Sequence, residues 1–402
     1  MSTQPFTVLC LASYEKGQEF MRECKRQGAR VFLLTSQSIA GADWPRESLD
    51  DIFLIPDKDK EWNRQDVIYG VSYMARNHRI DRIVPLDDFD VETGAALREH
   101  LRIGGMGDTT ARYFRDKLAM RVRAKEAAIA VPDFVHVLHY DALREFMKRV
   151  PGPWLVKPRM QASALGIKKI HHEEELWRHL DHLGDKQSFY LMERFVEGDV
   201  YHVDSVISER AVVFACASKY GKPPMHVAHQ GDVFTTKTLS PTSAEAKAVL
   251  KANKTVLQTL GLVRGVSHTE FIMGKDGTVY FLETSARVGG ANIAELVEAA
   301  TGVNLWREWA KIECEQGEKS YMPPIAEKNT AALLISLAKQ EHPDMSAYND
   351  PEVWWKMNRK HHAGLIVTSP KASRVDELLE SYLQRFYNDF FTTAPLPDKA
   401  TN

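Results

Sequence analysis

Short apolar bursts and stretches of helical spacing take turns along the first part of the chain. "FTVLCLA" (6–12), "ARVFLLTS" (29–36), "DDIFLIP" (50–56) and "DRIVPLDD" (81–88) read as strands. "KGQEFMRECKRQG" (16–28) and "DVIYGVSYMARNHRI" (66–80) carry their apolar residues at helical intervals. Strands alternating with helices predict parallel pairing, hence a doubly wound α/β domain over 1–115. In such sheets ligands gather beyond the carboxyl ends of strands, where Asp87 and Asp88 stand; helix N-capping accounts for either equally well.

The pattern changes after residue 115. A helix over 117–130 breaks at Val131-Pro132, and "FVHVL", "DALREFMKRV", "WLVKP", "QASALGIKKI", "EEELWRHLDHL" and "FYLMERFV" follow as strand, helix, strand, loop, helix and strand over 116–205. Residues 206–325 bring further strands, a polar loop over 219–240 and a helix over 243–260. "AALLISLA" (331–338), "AGLIVTS" (363–369) and a helix over 374–390 predict a small α+β appendage over 326–402. The expected fold class is multidomain α/β and α+β, with no internal repeat and no low-complexity tract.

Composition narrows the partners. The chain has 402 residues, 44% hydrophobic and 26% charged, with a formal charge of −2 from 52 basic and 54 acidic side chains. That is an ordinary globular balance, and without a basic excess neither nucleic acid nor an anionic membrane is an expected partner. No apolar run approaches a membrane span, and "FTVLCLA" lacks a preceding positive segment, so no signal peptide is expected. Cysteines at 10, 24, 216 and 314 have no zinc-ligand spacing and make no disulfide framework, so a reduced, cytoplasmic setting is expected.

The chemistry concentrates in "HTEFIMGKDGTVYFLETSARVGG" (268–290). Asp276-Gly277 between alternating apolar residues is a strong hairpin signal. A two-residue loop there places Glu270 directly opposite Glu283, with Cβ atoms roughly 4.5–5.5 Å apart on one face. Opposed like charges call for a cation, and magnesium commonly takes one or two carboxylates plus substrate phosphates. A bulged turn would instead separate the pair, and solvated strand-end glutamates are the plain alternative. Arg287 and the small-residue helix start "GGANIAELVEAATG" add a guanidinium and an anion-friendly N-terminus. Upstream, "PWLVKPRMQASALGI" sets Lys157 in an apolar strand before a small-residue loop, and "FYLMERFVEGDVYHVD" ends an apolar strand on Glu193 with a turn at Gly198.

Taken in order, "RDK" (115–117), "WLVKP" (154–158), "ERFVEG" (193–198), "HTEF" (268–271) and "LETSARVGG" (282–290) resemble the ATP-grasp superfamily, and within it carboxylate–amine ligases similar to L-amino-acid ligases. The resemblance implies a pre-ATP-grasp domain over 1–115, a lid lobe over 116–205, a catalytic lobe over 206–325 and the C-terminal appendage. It implies ATP with Mg2+ (Mn2+ as an alternative), small carboxylate and amine substrates, and a class in which homodimers occur. By the same resemblance Lys117 and Lys157 reach the phosphates, Glu193 accepts from the adenine amino group, and the backbone of Phe195 and Val196 reads the ring edge. The loop 161–166, with Ser163 and Gly166, folds over the phosphates. Glu270 and Glu283 match the metal carboxylates, and Arg287 the arginine that steadies the transferred phosphoryl.

Three positions depart from the pattern. Ser285 stands where many relatives have an asparagine metal ligand. An acid that binds ribose in relatives is replaced by Val200, leaving Asp199 or His202 for that role. His268 replaces an arginine of some members and either touches the acyl phosphate or bonds the neighbouring loop. The stretch 226–240 resembles a mobile loop that closes over substrate; His226 and His229 would make a metal pair only if helical. The activity implied is amide formation through an acyl phosphate. The alternatives are another ATP-grasp phosphoryl transfer, as in carboxylating or kinase-like members, or a nucleotide-binding protein without catalysis.

Overall fold

The computed structural model describes residues 5–162, 164–315 and 321–394, so Ser163 lies outside the described residues. Four parallel strands open the chain: β1 (Thr7–Ala12), β2 (Arg30–Ser36), β3 (Asp51–Ile55) and β4 (Arg82–Pro85), in the order β3-β2-β1-β4. Helices α1 (Gln18–Arg26), α2 (Arg64–Met74) and α3 (Val91–Leu101) alternate with them. Every residue of β1 is buried, as a central parallel strand covered on both faces requires.

The second lobe starts with α4 (Lys117–Glu126), where the Asp116 side chain accepts from the N–H groups of Leu118 and Ala119. This cap fixes Lys117 as the first helical residue. Strands β5 (Phe134–His136), β6 (Trp154–Pro158), β7 (Lys168–Ile170) and β8 (Tyr190–Arg194) form an antiparallel sheet ordered β5-β8-β6-β7. Helices α5 (Tyr140–Arg149) and α6 (Glu173–Leu183) bury Leu143, Phe146, Leu176 and Leu180 in its core.

The third sheet contains β9 (Gly198–Ser208), β10 (Ala211–Tyr220), β11 (Phe234–Thr238), β12 (Gly265–Gly274) and β13 (Val279–Ser285). Its remaining strands are β14 (Thr330–Leu337), β15 (Val353–Lys356) and β16 (His362–Ser369), and the order is β13-β12-β9-β10-β11-β14-β16-β15. One expectation is corrected: the polar loop over 219–240 holds helix α7 (Pro224–Gln230) and strand β11, whose register with β14 buries Thr235 and Thr236. The tail strands β14, β15 and β16 extend this same sheet.

Helices α8 (Ala244–Leu260), α9 (Ile293–Thr301), α10 (Leu305–Cys314) and α11 (Ala372–Asp389) complete the chain. One apolar core runs from Val8 and Val31 of the parallel sheet through Phe20 to Val206 and Val266 of the large sheet. Within it Phe20 of α1 meets Trp309 of α10 edge-on, centroids 5.1 Å apart. Large side chains buried this fully stabilise by about 1.5–3 kcal/mol each. This core fixes the end of β4, with Asp87 and Asp88, against the segment that follows β13.

Candidate active site

Antiparallel register builds the centre of the site. Across β9, β12 and β13 one rung reads His202–Glu270–Glu283 and the next Asp204–His268–Ser285. Residues two apart share a face, so all six side chains project to one side of the sheet.

The Glu270–Glu283 pairing comes about by a route the sequence did not suggest. Gly274 and Thr278 close a three-residue loop, with the Gly274 N–H donating to the Thr278 carbonyl at 2.9 Å. Gly277 takes φ 78 in that loop, a conformation glycine adopts freely. Pairing near the turn is therefore one residue off, with Phe271 opposite Phe281. A bulge at Leu282 restores the expected register, so that Glu270 faces Glu283. The Leu282 carbonyl released by the bulge accepts from Arg121 Nη1, and the Phe281 N–H donates to Ala130 at 2.9 Å.

Cations surround the carboxylates. Lys117 Nζ lies 2.6 Å from Glu283 Oε2 and donates to the Gln161 carbonyl at 2.7 Å. Arg287 donates to Asp88 Oδ2 from Nε at 2.8 Å and from Nη2 at 2.6 Å. Burial opposes ionisation of Asp88, yet Arg287 and then Arg115 hold it down at about 2. The two readings of the acidic pair therefore divide between its members: Asp87 accepts from the Phe89 N–H as an N-cap and pairs with Lys16, while Asp88 reaches the site. Behind them Asp90 accepts from the Ser13 N–H at 2.9 Å, and burial together with Asp87 pushes its carboxyl up to about 7.

Toward the lid, Glu193 is buried between Lys157 and Arg121, whose Nε donates to it at 3.1 Å. Burial acts against this carboxylate, and Arg121 followed by Lys157 outweighs it, holding Glu193 below the usual range. The Phe195 N–H donates to the Pro153 carbonyl at 3.0 Å. Lys169 Nζ sits 3.8 Å from the Phe195 ring centre. Gly166 keeps the small-residue loop close to Pro158, and the Ala164 carbonyl in the same loop meets His229 Nε2 at 3.1 Å. His229 and His226 are helical after all, but they do not join: His226 faces Asp232 at 3.5 Å.

The ribose expectation is corrected for one residue. His202 is fully buried, with Nδ1 2.7 Å from Asp204 Oδ2 and Nε2 2.8 Å from Thr236 Oγ1, so both ring nitrogens are already engaged by protein groups. Asp199 is exposed and paired with Lys219 at 2.6 Å.

Sequence reasoning missed a second layer. Asp204 uses its other oxygen for His268 Nδ1 at 2.9 Å. His268 Nε2 then lies 3.5 Å from Tyr220 OH and 3.7 Å from Glu270 Oε1, and Tyr220 OH donates to Glu270 at 2.8 Å. Burial would lower the His268 pKa, but Asp204 outweighs it and the ring is raised to about 9. Asp204 itself is held well below the carboxylate range: burial opposes, and His268 and His202 prevail. The signal was present as "HVD" at 202–204, an i, i+2 pair on a strand whose partner register was not yet known.

The donor set fits a magnesium nucleotide. Two opposed carboxylates, one already balanced by an ammonium 2.6 Å away, are hard oxygen ligands of the kind magnesium takes beside phosphate. Lysines stand on the helix and strand that border the cleft.

Residues 122–294, which carry most of this constellation, match the ATP-grasp domain family. Among proteins of known activity the chain is 28% identical over 252 residues to the L-arginine-specific L-amino acid ligase of Bacillus subtilis, a match covering 61% of this chain and 60% of that protein's length. An L-amino acid ligase structure from Bacillus licheniformis superposes with a TM-score of 0.75 at 16% identity, covering 97% of this chain and 100% of that one. A biotin carboxylase domain of Hydrogenobacter thermophilus 2-oxoglutarate carboxylase, in complex with MgADP and bicarbonate, reaches 0.70 at 16% identity over 95% of this chain and 90% of its own. Among the described residues no helix is long and apolar enough to cross a membrane.

Proposed function

We propose that this protein is an ATP-dependent carboxylate–amine ligase that joins two small molecules through an amide bond, with release of ADP and phosphate. The observation that carries the reading is the opposed pair Glu270 and Glu283, flanked by Lys117 and by the Arg287–Asp88 ion pair. Similarity to an amino-acid ligase across 61% of the chain supports the amine as second substrate.

In the first step a substrate carboxylate oxygen attacks the γ-phosphorus of ATP; the new O–P bond forms as the bond to the bridging oxygen of ADP breaks. In the second, the amine attacks the acyl carbon, phosphate leaves as the C–N bond forms, and the nitrogen gives up a proton. There is little covalent work for the protein in phosphoryl transfer, and alignment with charge stabilisation does most of it. Magnesium, held by Glu270 and Glu283 with Ser285 alongside, would supply charge neutralisation at the phosphates. Lys117 and Lys157 draw the phosphates in from a helix and a strand of the lid lobe, and Arg287 steadies the transferred group. Glu193, Phe195 and Val196 take the adenine edge, and Asp199 the ribose. The small-residue loop around Gly166 and helix α7, already joined through Ala164 and His229, exclude the water that would hydrolyse an acyl phosphate.

The test is phosphate release from MgATP with amino acids and small carboxylic acids, offered singly and in pairs. Release that requires both a carboxylate and an amine, with an amide in the products, is the expected result. Release driven by bicarbonate or by one substrate alone would replace the ligase reading with another phosphoryl transfer, and no release with any pair would remove catalysis.

A further inference from the structure

His268 presents one ring nitrogen toward Glu270 and the other along the same sheet face toward Asp204, and that second side is closely built. Asp204 is fully buried and divides its two oxygens between two histidines, His268 Nδ1 at 2.9 Å and His202 Nδ1 at 2.7 Å. His202 is anchored in turn, its Nε2 2.8 Å from Thr236 Oγ1, whose hydroxyl also reaches the Lys219 carbonyl at 3.2 Å. Tyr220 covers the His202 ring, centroids 4.7 Å apart. Gly289 closes over the other side: a Cβ built there would lie 3.0 Å from both Asp204 Oδ1 and His268 Nδ1. The glycine pair after Arg287 thus has a reason beyond its turn, since a side chain at 289 would press on the bond between Asp204 and His268.

These three ligand-capable groups lie within 4.8 Å of one another, but they do not make a second metal centre. Each inward nitrogen already points at a separate carboxylate oxygen at hydrogen-bond length, which is the geometry of a buried relay.

We propose that Asp204 is a positioning residue, backed by His202 and Thr236, which receives the Nδ1–H of His268 and so turns Nε2 toward Glu270 and the phosphoryl group being transferred. An ionised carboxylate only accepts hydrogen bonds, so a histidine held on it by Nδ1 cannot flip without leaving both Asp204 and its neighbour unsatisfied in a dry interior. Nε2 is then the nitrogen that meets an anionic oxygen of the reacting carboxylate or phosphate. The inference rests on the ligase reading for its chemistry, but the ring orientation stands on geometry alone.

The test joins spectroscopy to kinetics on the full chain. Two-bond 1H–15N correlation of histidine-labelled protein, with the His268→Gln and His202→Gln spectra for assignment, is expected to show a proton on Nδ1 of both rings. Asp204→Asn should abolish the Nδ1–H pattern at His268 while leaving distant histidines such as His136 unmoved. Phosphate release from MgATP with an equimolar mixture of the protein amino acids should fall in kcat by roughly 10–100-fold, as for loss of an outer-shell orienting group, with the KM for ATP within about twofold. Gly289→Ala should lower kcat in the same direction and by less. A wild-type His268 protonated on Nε2 alone overturns the proposal, as does a folded Asp204→Asn protein with unchanged kcat. Should Asp204→Asn fail to fold, the wild-type ring pattern decides by itself. Should the wild type release no phosphate at all, the ligase reading falls, and the same spectra still decide the role of Asp204.

Discussion

Two lysine–glutamate pairs lie in the candidate site, and they are built to different ends. Lys157 and Glu193 are 7% and 2% exposed at their side chains, and Arg121, with none of its side chain exposed, completes a closed triad. Lys117 and Glu283 are 10% and 33% exposed. Removing one member of the first set leaves an uncompensated charge in an apolar interior, which is strongly destabilising. The second pair opens to solvent on the glutamate side, so water and incoming ions can take the place of either partner at small cost. A dry pair of this kind fixes the frame of the cleft, whereas a wet pair leaves a carboxylate available to a ligand.

The comparison breaks most sharply at Glu283. Glu283→Gln keeps the shape of the side chain and removes the charge a divalent cation needs. We expect a loss on the order of 10³-fold in magnesium-dependent kcat, with urea unfolding close to wild type. Activity near normal would take the metal role away from this carboxylate. At the closed pair the same chemical change should act on the fold as well as on nucleotide binding. Glu193→Gln leaves Lys157 and Arg121 together without a counter-charge, at a cost of about 3–5 kcal/mol, seen as a lower midpoint in urea. A midpoint like that of Glu283→Gln would mean that the two pairs do not differ as their burial indicates.

Asp90 sharpens the contrast from the opposite direction, as a buried carboxylate with a like charge nearby. Its pKa in the folded protein is pushed up to about 7, against roughly 3.9 for an unfolded chain. Between these values the folded state binds the extra proton, so stability is full below about pH 4 and declines as pH rises through about 7. The difference corresponds to roughly 2–4 kcal/mol at most. Asp90→Asn keeps an acceptor for the Ser13 N–H and should flatten this decline, making the variant more stable than wild type at pH 8. Parallel pH–stability curves for the two proteins would show that Asp90 is not held protonated.

Much of this architecture could be read from the pattern of apolar residues. The alternation of strand and helix before residue 115 follows from period alone, and the two carboxylates were placed on one rung by alternation from an Asp-Gly turn. The route to that rung was not legible. The three-residue loop shifts the register by one and the bulge at Leu282 shifts it back, and the bulge depends on Arg121 and Ala130, both remote in sequence. The relay behind His268 was hidden for a related reason: Asp204 and His202 meet it only once β9 is known to lie beside β12. The polarity of 219–240 suggested a loop because Thr236 and His229 find partners remote in sequence, at His202 and at the Ala164 carbonyl, which no local rule anticipates.

The wet pair carries a last consequence. A divalent cation bound as proposed would compete with Lys117 Nζ for the same Glu283 oxygen, since the ammonium already lies at 2.6 Å from it. Nucleotide phosphates offer Lys117 another partner, so nucleotide and metal should bind with positive coupling, each raising the affinity for the other by the same factor. Lys117→Met removes the competitor together with its attraction for phosphate. In the absence of nucleotide, Mn2+ binding followed by electron paramagnetic resonance should therefore become tighter in the variant, by about tenfold or 1.4 kcal/mol. Addition of ATP should tighten Mn2+ less in the variant than in the wild type. Equal Mn2+ affinity in the two proteins without nucleotide would show that Lys117 does not guard Glu283, and the distinction between a fixed pair and a displaceable one would then rest on burial alone.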